Sequence, residues 1–370
     1  MYYPSLQESD GDGIVKKILV ISLAGIGNTL LFTPALRLLR ERFPTAYISA
    51  LVMFKSAKEI LEGNPHLNEV IHWNFIQAGP FHSLRFLTRL RSKRFDVSIN
   101  AYPANRREYN LISFFIGAKE RFGHRYQHLD LLSLGFLNNR RITESPHRHD
   151  VEENIALLGL LEIRGKLPKR LEIYLSEKDR KFAQDWLRKR GLEGDFMFGF
   201  HAGSARFKNQ ARRRWDKGKF IQLGKLLVQK HNAKILIFGG PDEVQTNRDI
   251  FESMGDSGYL VKDTTMRQTT ALMERCSLFI TNDSGLMHIS AALSLPTVAI
   301  FGPTNPVWVH PWRTEYEIVR KGLPCSPCFF YSVRPLSCRY GDFRCIGSIE
   351  VEDVLKGIGR LMGRRRNGGT

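Results

Sequence analysis

The chain has 370 residues, of which 42% are hydrophobic and 25% are charged, and its formal net charge is +18. This length suits two domains better than one, and the composition excludes fibrous and low-complexity chains. No apolar run reaches the length of a membrane span, and residues 1–13 lack a basic start followed by a hydrophobic stretch. We therefore expect a globular, cytoplasmic protein.

The positive charge is concentrated in the first half of the chain. The basic clusters are Arg85, Arg89, Arg91, Lys93 and Arg94; Arg106 and Arg107; Lys119, Arg121, His124 and Arg125; and Arg140, Arg141, His147, Arg148 and His149. Clustered charge of one sign predicts an anionic partner, and the candidates are nucleic acid, an anionic membrane face and a phosphorylated glycolipid. No nucleic-acid-binding motif accompanies the charge, so the sequence gives no support to a specific nucleic-acid partner.

Predicted strands and helices alternate from the start of the chain. In the first half, the hydrophobic pattern predicts strands at 15–23, 47–53, 70–73 and 95–100, and helices at 28–43 and 83–94. We expect Pro34 to kink or loosen the first turns of the 28–43 helix, because proline has no backbone N–H to donate.

The alternation continues through the second half. Helices are predicted at 152–161, 176–190, 216–231, 241–254, 266–276, 286–293 and 350–362, and strands at 170–175, 196–201, 234–238, 278–281 and 297–301. This pattern implies two doubly wound, Rossmann-like α/β units with parallel sheets and a cleft between them. We expect domains at 1–170 and 171–348, followed in 349–370 by a last helix and a basic tail.

The most informative segment is 281–306, where a predicted strand leads into Asn282-Asp283-Ser284-Gly285 and a helix. These four residues offer capping side chains and a glycine at the helix start. A helix N-terminus at the carboxyl end of a parallel sheet is a natural seat for a diphosphate. Asp283, beside it, can accept hydrogen bonds from sugar hydroxyls.

The pattern Asn-Asp-Ser-Gly-Leu-x-His-x-x-Ala-Ala from Asn282, followed by Phe-Gly-Pro-Thr from Phe301, resembles the heptosyltransferases of glycosyltransferase family 9. Residues 17–36 resemble the N-terminal signature of that family, and the resemblance extends over about 17–354. It implies a GT-B fold and lipopolysaccharide biosynthesis. The implied reaction is inverting, metal-independent transfer of a heptose-type sugar from a nucleotide-diphospho-sugar, by analogy ADP-heptose. The implied acceptor is a lipopolysaccharide-core or related anionic glycan or glycolipid, met in peripheral contact with the inner membrane face.

The resemblance also implies a donor site in the second domain. It further implies that the last helix returns to pack on the first domain. Asp283 would hold the sugar, while Ser204, Arg213 and the amides of Ser284 and Gly285 would hold the diphosphate. Glu243 would contact the nucleotide ribose. The remaining donor-site candidates are His201, Leu286 and His288, the last as an orienting group. A solvated basic loop is the alternative for residues 212–214.

The segment Gly25-Ile26-Gly27-Asn28 opens the first predicted helix and allows a ligand close to the backbone. A dinucleotide-binding motif is disfavoured, because Leu30 stands where its third glycine would be. In the heptosyltransferases, the residue that corresponds to position 28 is normally an Asp, which serves as the general base. The side-chain amide of Asn28 cannot accept a proton at neutral pH. Asn28 can also serve as a helix cap. Further acceptor-side candidates are Gly25, Gly27, Arg106, Arg107 and Arg125.

Three alternatives follow from Asn28. Another group, with Glu108, His124 and Asp130 as candidates, could activate the acceptor hydroxyl. The reaction could instead tolerate a weak base. The third alternative is a catalytically silent relative that binds a sugar nucleotide or glycan.

Four of the five cysteines cluster near the C-terminus, as Cys325-x2-Cys328-x9-Cys338-x6-Cys345. This arrangement matches a common variant of the family and suggests a structural tetrathiolate zinc site. Reduced, packed thiols or pairwise disulfides remain the alternative. No cofactor is expected to be required for catalysis.

Overall fold

The computed structural model describes residues 15–163, 170–205 and 207–367. Within them the chain forms two parallel six-stranded sheets, one in each half, with helices packed on their faces. Both sheets have the same strand order when each is counted from its own first strand, 3-2-1-4-5-6. This is the Rossmann order, and it confirms the predicted α/β class.

The first sheet has the order β3-β2-β1-β4-β5-β6. Its strands are β1 Lys17–Ser22, β2 Tyr47–Val52, β3 Glu69–His72, β4 Val97–Asn100, β5 Glu120–Arg125 and β6 Arg140–Thr143. Central β1 is buried except for its first residue, and Val20 pairs in register with Ala50 and Ile99. The first four strands match the prediction. β5 and β6 were missed because their charged, half-exposed residues, at one side of the sheet, break the hydrophobic pattern.

The helices of the first unit lie on both faces of its sheet. They are α1 Ile26–Leu31, α2 Thr33–Arg42, α3 Lys55–Leu61, α4 Phe75–Ser92, α5 Arg107–Ile116, α6 Asp130–Ser133 and α7 Asp150–Leu157. The single helix predicted at 28–43 is two helices, because Pro34 lies at the start of α2, where no backbone N–H is needed. A second break occurs inside α4, at Gly79 (φ +71°), directly before Pro80.

The second sheet has the order β12-β11-β10-β7-β8-β9. Its strands are β7 Met197–His201, β8 Lys234–Ile237, β9 Gly258–Leu260, β10 Leu278–Asn282, β11 Thr297–Ile300 and β12 Tyr316–Val319. Its helices are α8 Glu177–Arg188, α9 Lys217–His231, α10 Val244–Met254, α11 Met266–Met273, α12 Gly285–Ala292, α13 Pro306–Val309, α14 Arg344–Gly347 and α15 Val351–Asn367. The short edge strands β9 and β12 were not predicted.

Two predictions for this half are wrong. Residues 170–175 do not join a sheet; instead Leu171, Ile173 and Leu175 pack their side chains into the apolar core. The last helix, α15, does not return to the first unit. It packs on β11, β12 and α9 of the second unit, where Val354 and Leu361 are fully buried.

The two units share one apolar core on one side of the cleft. Leu30 and Leu31 of α1, with Val151 of α7, lie in the same buried cluster as Phe279 and Leu286 of the second unit. A large hydrophobic contact of this kind holds two domains in one arrangement. This shared core therefore forms one fixed side of the predicted cleft.

Glycines allow a close backbone approach between the two units. A Cβ atom added to Gly27 of α1 would lie 2.7 Å from Cδ2 of His288, and one added to Gly285 would lie 2.6 Å from Cγ1 of Ile26. The first turns of α1 and α12 therefore touch through backbone, which only glycine permits.

This contact predicts that Gly27→Ala lowers the free energy of unfolding by about 1–3 kcal/mol through overpacking. Alanine is otherwise the better helix former, so the expected sign opposes intrinsic propensity. Urea denaturation measures the change. Gly25→Ala is the matched control, because a Cβ at Gly25 meets no atom within 4 Å. Unchanged or increased stability of Gly27→Ala would contradict the close packing.

Candidate active site

The candidate site lies where the strand order of the second sheet reverses. β7 and β10 are neighbours at this switch point, and the chain leaves their carboxyl ends at His201 and Asn282. Ligands of doubly wound folds bind in the crevice outside such a point. The structure thus brings the two predicted donor segments, 201–204 and 282–286, to one place.

The first turn of α12 has no side-chain cap. Ser284 is at the N-cap position, but its hydroxyl hydrogen bonds with His201 Nδ1 at 2.9 Å and with Thr281 Oγ1 at 3.1 Å. The expected capping side chain is therefore not provided. The N–H groups at this helix start, which include those of Gly285 and Leu286, remain suited to an anionic ligand.

Arg213 and Asp283 form an ion pair in this pocket. Arg213 Nη1 donates to Asp283 Oδ2 and reaches Thr304 Oγ1 at 3.4 Å. Only 11% of the Arg213 side chain and 7% of the Asp283 side chain are exposed. Since guanidinium carries five N–H donors in a planar fork, Arg213 can hold the carboxylate and an anionic ligand together.

A second ion pair joins Arg214 to Glu243. Arg214 Nη2 lies 2.6 Å from Glu243 Oε1, and Glu243 Oε2 accepts the N–H of Gly240 at 2.8 Å. The same guanidinium donates to the carbonyl of Ser204, whose hydroxyl donates to the Gln210 carbonyl at 3.0 Å. The sequence analysis left a solvated basic loop open as the alternative for Arg214, and it missed the role of this residue in ordering the pocket.

Asn282 ties the loops of the pocket together, which the sequence analysis also missed. Its Oδ1 accepts the N–H of Trp215 at 3.0 Å, and its Nδ2 donates to the Gly203 carbonyl at 3.2 Å. The side chain is fully buried, so it replaces water for two backbone groups. A buried polar side chain ending a hydrophobic strand was the available signal.

His201 and His288 are both neutral bases buried beneath the pocket. Burial lowers the pKa of His201 to about 3, with repulsion from Arg214 adding to the effect. Burial also lowers the pKa of His288 to about 4, opposed in part by Asp283. His288 lies between α12 and Gly27, which supports a packing and orienting role rather than proton transfer.

The predicted acceptor-side glycines differ in their surroundings. Gly25 is the N-cap of α1 and faces open space, whereas Gly27 is buried against His288 and Gly285. Gly27 therefore serves the contact between the units and not ligand approach. Asn28 is the third helical residue rather than the cap, and its side chain is half-buried.

The basic acceptor-side candidates lie at the carboxyl edge of the first sheet. Arg106 precedes α5 and places its guanidinium 4.7 Å from the ring centre of Phe207 in the second unit, across the cleft. Arg107 is exposed beside Glu108, and Arg125 is exposed at the end of β5. Of the three, only Arg106 is placed directly at the boundary between the units.

The three predicted replacement bases are each engaged by neighbours in the first unit. Glu108 lies 3.3 Å from Arg107. Burial raises the pKa of the Glu108 carboxyl, but a hydrogen bond from its own backbone N–H and the charges of Arg106 and Arg107 outweigh burial and lower that pKa. His124 is buried 3.4 Å from Glu153. Asp130 pairs with Arg141 at 3.2 Å. None of them is brought to the donor pocket by these contacts.

A different carboxylate faces the second unit. Asp150, the first residue of α7, accepts a hydrogen bond from the Tyr331 hydroxyl at 2.6 Å. The Tyr331 ring is edge-on to Phe329, and Phe329 lies beneath the Arg213 guanidinium at 5.8 Å. Burial, with the nearby charge of Glu153 and further carboxylates, raises the pKa of Asp150 well above its ordinary value.

The four clustered cysteines line one cavity of about 390 Å³ and are free thiols. Burial and the other three thiols raise the pKa of Cys345 to about 11. In the part of the chain that the structure describes, no three His, Cys, Asp or Glu side chains are placed to hold a metal ion. The thiols therefore share a site without forming a ligand set, and the structural zinc ion stays a prediction.

None of the helices in the described ranges is long and apolar enough to cross a membrane. Two Rossmann-type units with a ligand crevice between them define the GT-B class of glycosyltransferases. The family model for glycosyltransferase family 9 (heptosyltransferase) matches residues 83–335. The chain belongs to this family and is a glycosyltransferase.

Individual relatives agree with this assignment. Lipopolysaccharide heptosyltransferase 2 of Escherichia coli is 27% identical over 322 residues, which cover 82% of this chain and 88% of the relative. Lipooligosaccharide heptosyltransferase 2 of Campylobacter jejuni is 34% identical over 155 residues, covering 40% of this chain and 47% of the relative. Relatives named as transferases give no support to the silent-binding alternative.

Solved structures share the fold. The glycosyl transferase family 9 structure from Veillonella parvula superposes with a TM-score of 0.73 at 23% identity, covering 94% of this chain and 97% of that one. The E. coli ADP-heptose lps heptosyltransferase II gives 0.71 at 23% identity, covering 95% and 99%.

The buried histidines predict acid sensitivity. In the unfolded chain both imidazoles bind a proton near pH 6.5, whereas folded His201 and His288 stay neutral to about pH 3 and 4. Unfolding therefore takes up protons below pH 6.5. As the pH decreases below that value, the free energy of unfolding falls by about 1.4 kcal/mol per pH unit for each histidine. Urea denaturation between pH 7.5 and 5 measures this slope. His288→Gln should reduce it, while exposed His82→Gln should not, and equal slopes in both variants would contradict the assignment.

Proposed function

We propose that this enzyme transfers a heptose from ADP-heptose to a lipopolysaccharide-core or related glycolipid acceptor, with inversion at the anomeric carbon. The printed descriptions of relatives, an "ADP-heptose lps heptosyltransferase" among them, support the donor and the acceptor class. The observation that carries the proposal is the pairing of Arg213 with Asp283 beside the uncapped start of α12. This pairing supports the proposal because a sugar diphosphate would need a cation, amide donors and a carboxylate close together.

The donor would bind with its diphosphate on the first turn of α12. Arg213 would turn part of its fork from Asp283 to the diphosphate and neutralise charge that develops on the leaving ADP. The freed oxygen of Asp283 would accept from sugar hydroxyls. Glu243, held by Arg214 and by Gly240, is preorganised to accept from the ribose. No metal or other cofactor takes part in this scheme.

The acceptor would enter from the first unit, at the carboxyl edge of its sheet, where Arg106 reaches the cleft. Its hydroxyl oxygen attacks the anomeric carbon as the bond from that carbon to the diphosphate oxygen breaks. The bonding electrons leave with ADP, and the hydroxyl proton must pass to a base. A lipid-linked acceptor also implies peripheral contact with the inner membrane face.

We assign the role of that base to Asp150, in place of the carboxylate missing at Asn28. Its hydrogen bond from Tyr331 connects it with the aromatic wall below Arg213. The acceptor hydroxyl would replace Tyr331 as the donor to Asp150 and then deliver its proton. The raised pKa makes Asp150 a stronger base than an exposed carboxylate.

Calorimetric titration with ADP and with ADP-heptose separates the two donor roles. Arg213→Ala should weaken both ligands about ten- to hundredfold, because charge-assisted bonds to the diphosphate are lost. Asp283→Ala should weaken ADP-heptose and spare ADP, because Asp283 is assigned to the sugar. Arg212→Ala is the matched control, since that guanidinium stacks on Phe343 instead. Equal binding by all variants, or selectivity for UDP or GDP, would overturn the donor assignment.

The base is tested by Asp150→Asn in a transfer assay. We expect kcat to fall at least about a hundredfold with unchanged ADP affinity, and the acidic limb of the kcat–pH profile to disappear. Asp130→Asn, a carboxylate paired with Arg141, is the control. Recovery of activity by adding Asn28→Asp would support a shared position for the two carboxylates. Full activity of Asp150→Asn would instead favour transfer that tolerates a weak base.

A further inference from the structure

One side of the first unit presents large apolar side chains to solvent. They lie on α4, on α5, on α6 and on the 3₁₀ turn Gly135–Leu137 that follows α6. We name as the apolar face Ile76, Phe81, Leu84, Phe114, Phe115, Leu131, Leu132 and Phe136. Phe81 is 76% exposed and Leu131 is 74% exposed, so these side chains are not merely the edges of a core. An exposed set of this size marks an interaction site.

The apolar face is continuous because its elements form one layer. α4 buries Ser83, Leu87 and Leu90 on the sheet, which turns Leu84 and its neighbours outward. α5 packs beside α4 and in turn contacts α6 and the 3₁₀ turn. The Arg121 guanidinium lies 5.7 Å from the ring centre of Phe114, so β5 also supports the same layer.

Unpaired cations accompany the apolar face. Residues 70–95 contain no Asp or Glu, whereas α4 and the residues after it carry Arg85, Arg89, Arg91 and Arg94, all exposed. Within the described residues these four arginines form no ion pair, whereas Arg213, Arg214 and Lys217 of the second unit each pair with a carboxylate. An apolar surface mixed with unpaired arginines matches the composition of helices that lie in a membrane interface.

The position of the apolar face relates it to the cleft. α4 and α6 begin after β3 and β5, at the carboxyl edge of the first sheet. The acceptor side of the candidate site, with Arg106 and Arg125, lies at the same edge. A partner surface bound to the apolar face would therefore lie beside the place where the acceptor enters the cleft.

We infer that the apolar face, with its four arginines, docks on the surface of an anionic lipid bilayer. Charge complementarity favours this occupant over a second copy of the chain, because self-association would bring like-charged arginines together. Phe, Ile and Leu side chains would enter the headgroup region while the arginines meet lipid phosphates. The inference rests on the proposed function only in that a glycolipid acceptor resides in a membrane.

Vesicle flotation tests the inference with the full chain. Vesicles of phosphatidylcholine alone are compared with vesicles containing about one third phosphatidylglycerol, at low and at physiological salt. We expect the wild type to float with the anionic vesicles and to be released as salt increases. Arg85→Ser with Arg89→Ser should weaken binding about fivefold for each arginine. Phe81→Ser with Leu84→Ser should weaken it at least tenfold.

The matched control is Val244→Ser with Phe251→Ser, which changes exposed apolar residues of α10 in the second unit. Flotation of this control should equal that of the wild type. The inference is overturned if the wild type floats with neither kind of vesicle. It is also overturned if neither pair of α4 substitutions reduces binding. A wild-type dimer in size-exclusion chromatography that Phe81→Ser with Leu84→Ser dissociates overturns it as well.

The same variants are titrated with ADP. Unchanged ADP affinity in the α4 variants shows that the donor site is folded and that the flotation result concerns the apolar face alone. Failure of ADP to bind the wild type would remove the proposed function while leaving the flotation result to stand on its own.

Discussion

The contact between the first turns of α1 and α12 is the constraint on which the rest of the structure depends. Two helices from different units meet here at their N-termini, and both starts lack a capping side chain. The partial positive charges of these helix starts lie close together, with the Arg213 guanidinium nearby. Asp283 is the carboxylate that offsets them in this structure, and an anionic ligand is the natural further partner. Glycine at positions 27 and 285 is what allows the approach.

The pocket built around this contact keeps its charges in pairs. Arg213 with Asp283 and Arg214 with Glu243 bury four charges without leaving one uncompensated. Buried pairs contribute little net stability, but each removes the cost of an isolated charge and fixes the geometry of its neighbours. Under the proposed function, a diphosphate entering this pocket would replace Asp283 as a partner of Arg213, and the freed carboxylate would then accept from the sugar. A single rearrangement of Arg213 would thus couple the binding of the proposed donor to its orientation.

The sequence allowed prediction of the parts of the molecule that depend on local pattern. Buried central strands such as β1 and β10 follow from hydrophobic runs and match the structure, and so does the helix predicted at 176–190, which is α8. The edge strands β6 and β12 were not predicted, because charged residues in half-exposed strands interrupt the hydrophobic pattern. The bond between Asp150 and Tyr331 joins residues 181 positions apart. Contacts of that kind arise from how the two units pack, for which no local signal exists.

The shared strand order of the two sheets has a consequence for the symmetry of the molecule. In each unit the chain leaves two strands at the switch point, β1 and β4 in the first and β7 and β10 in the second. The residues after β1 meet those after β10, through Gly27 and Gly285, and the residues after β4 meet those after β7, through Arg106 and Phe207. These two contacts are topological counterparts, because each joins the residues after the first strand of one sheet to the residues after the fourth strand of the other. One is sealed by glycine, while the other is a cation over an aromatic ring on the long loop after β7. Two topologically equivalent positions therefore carry different contacts, one closed by backbone packing and the other made by two side chains.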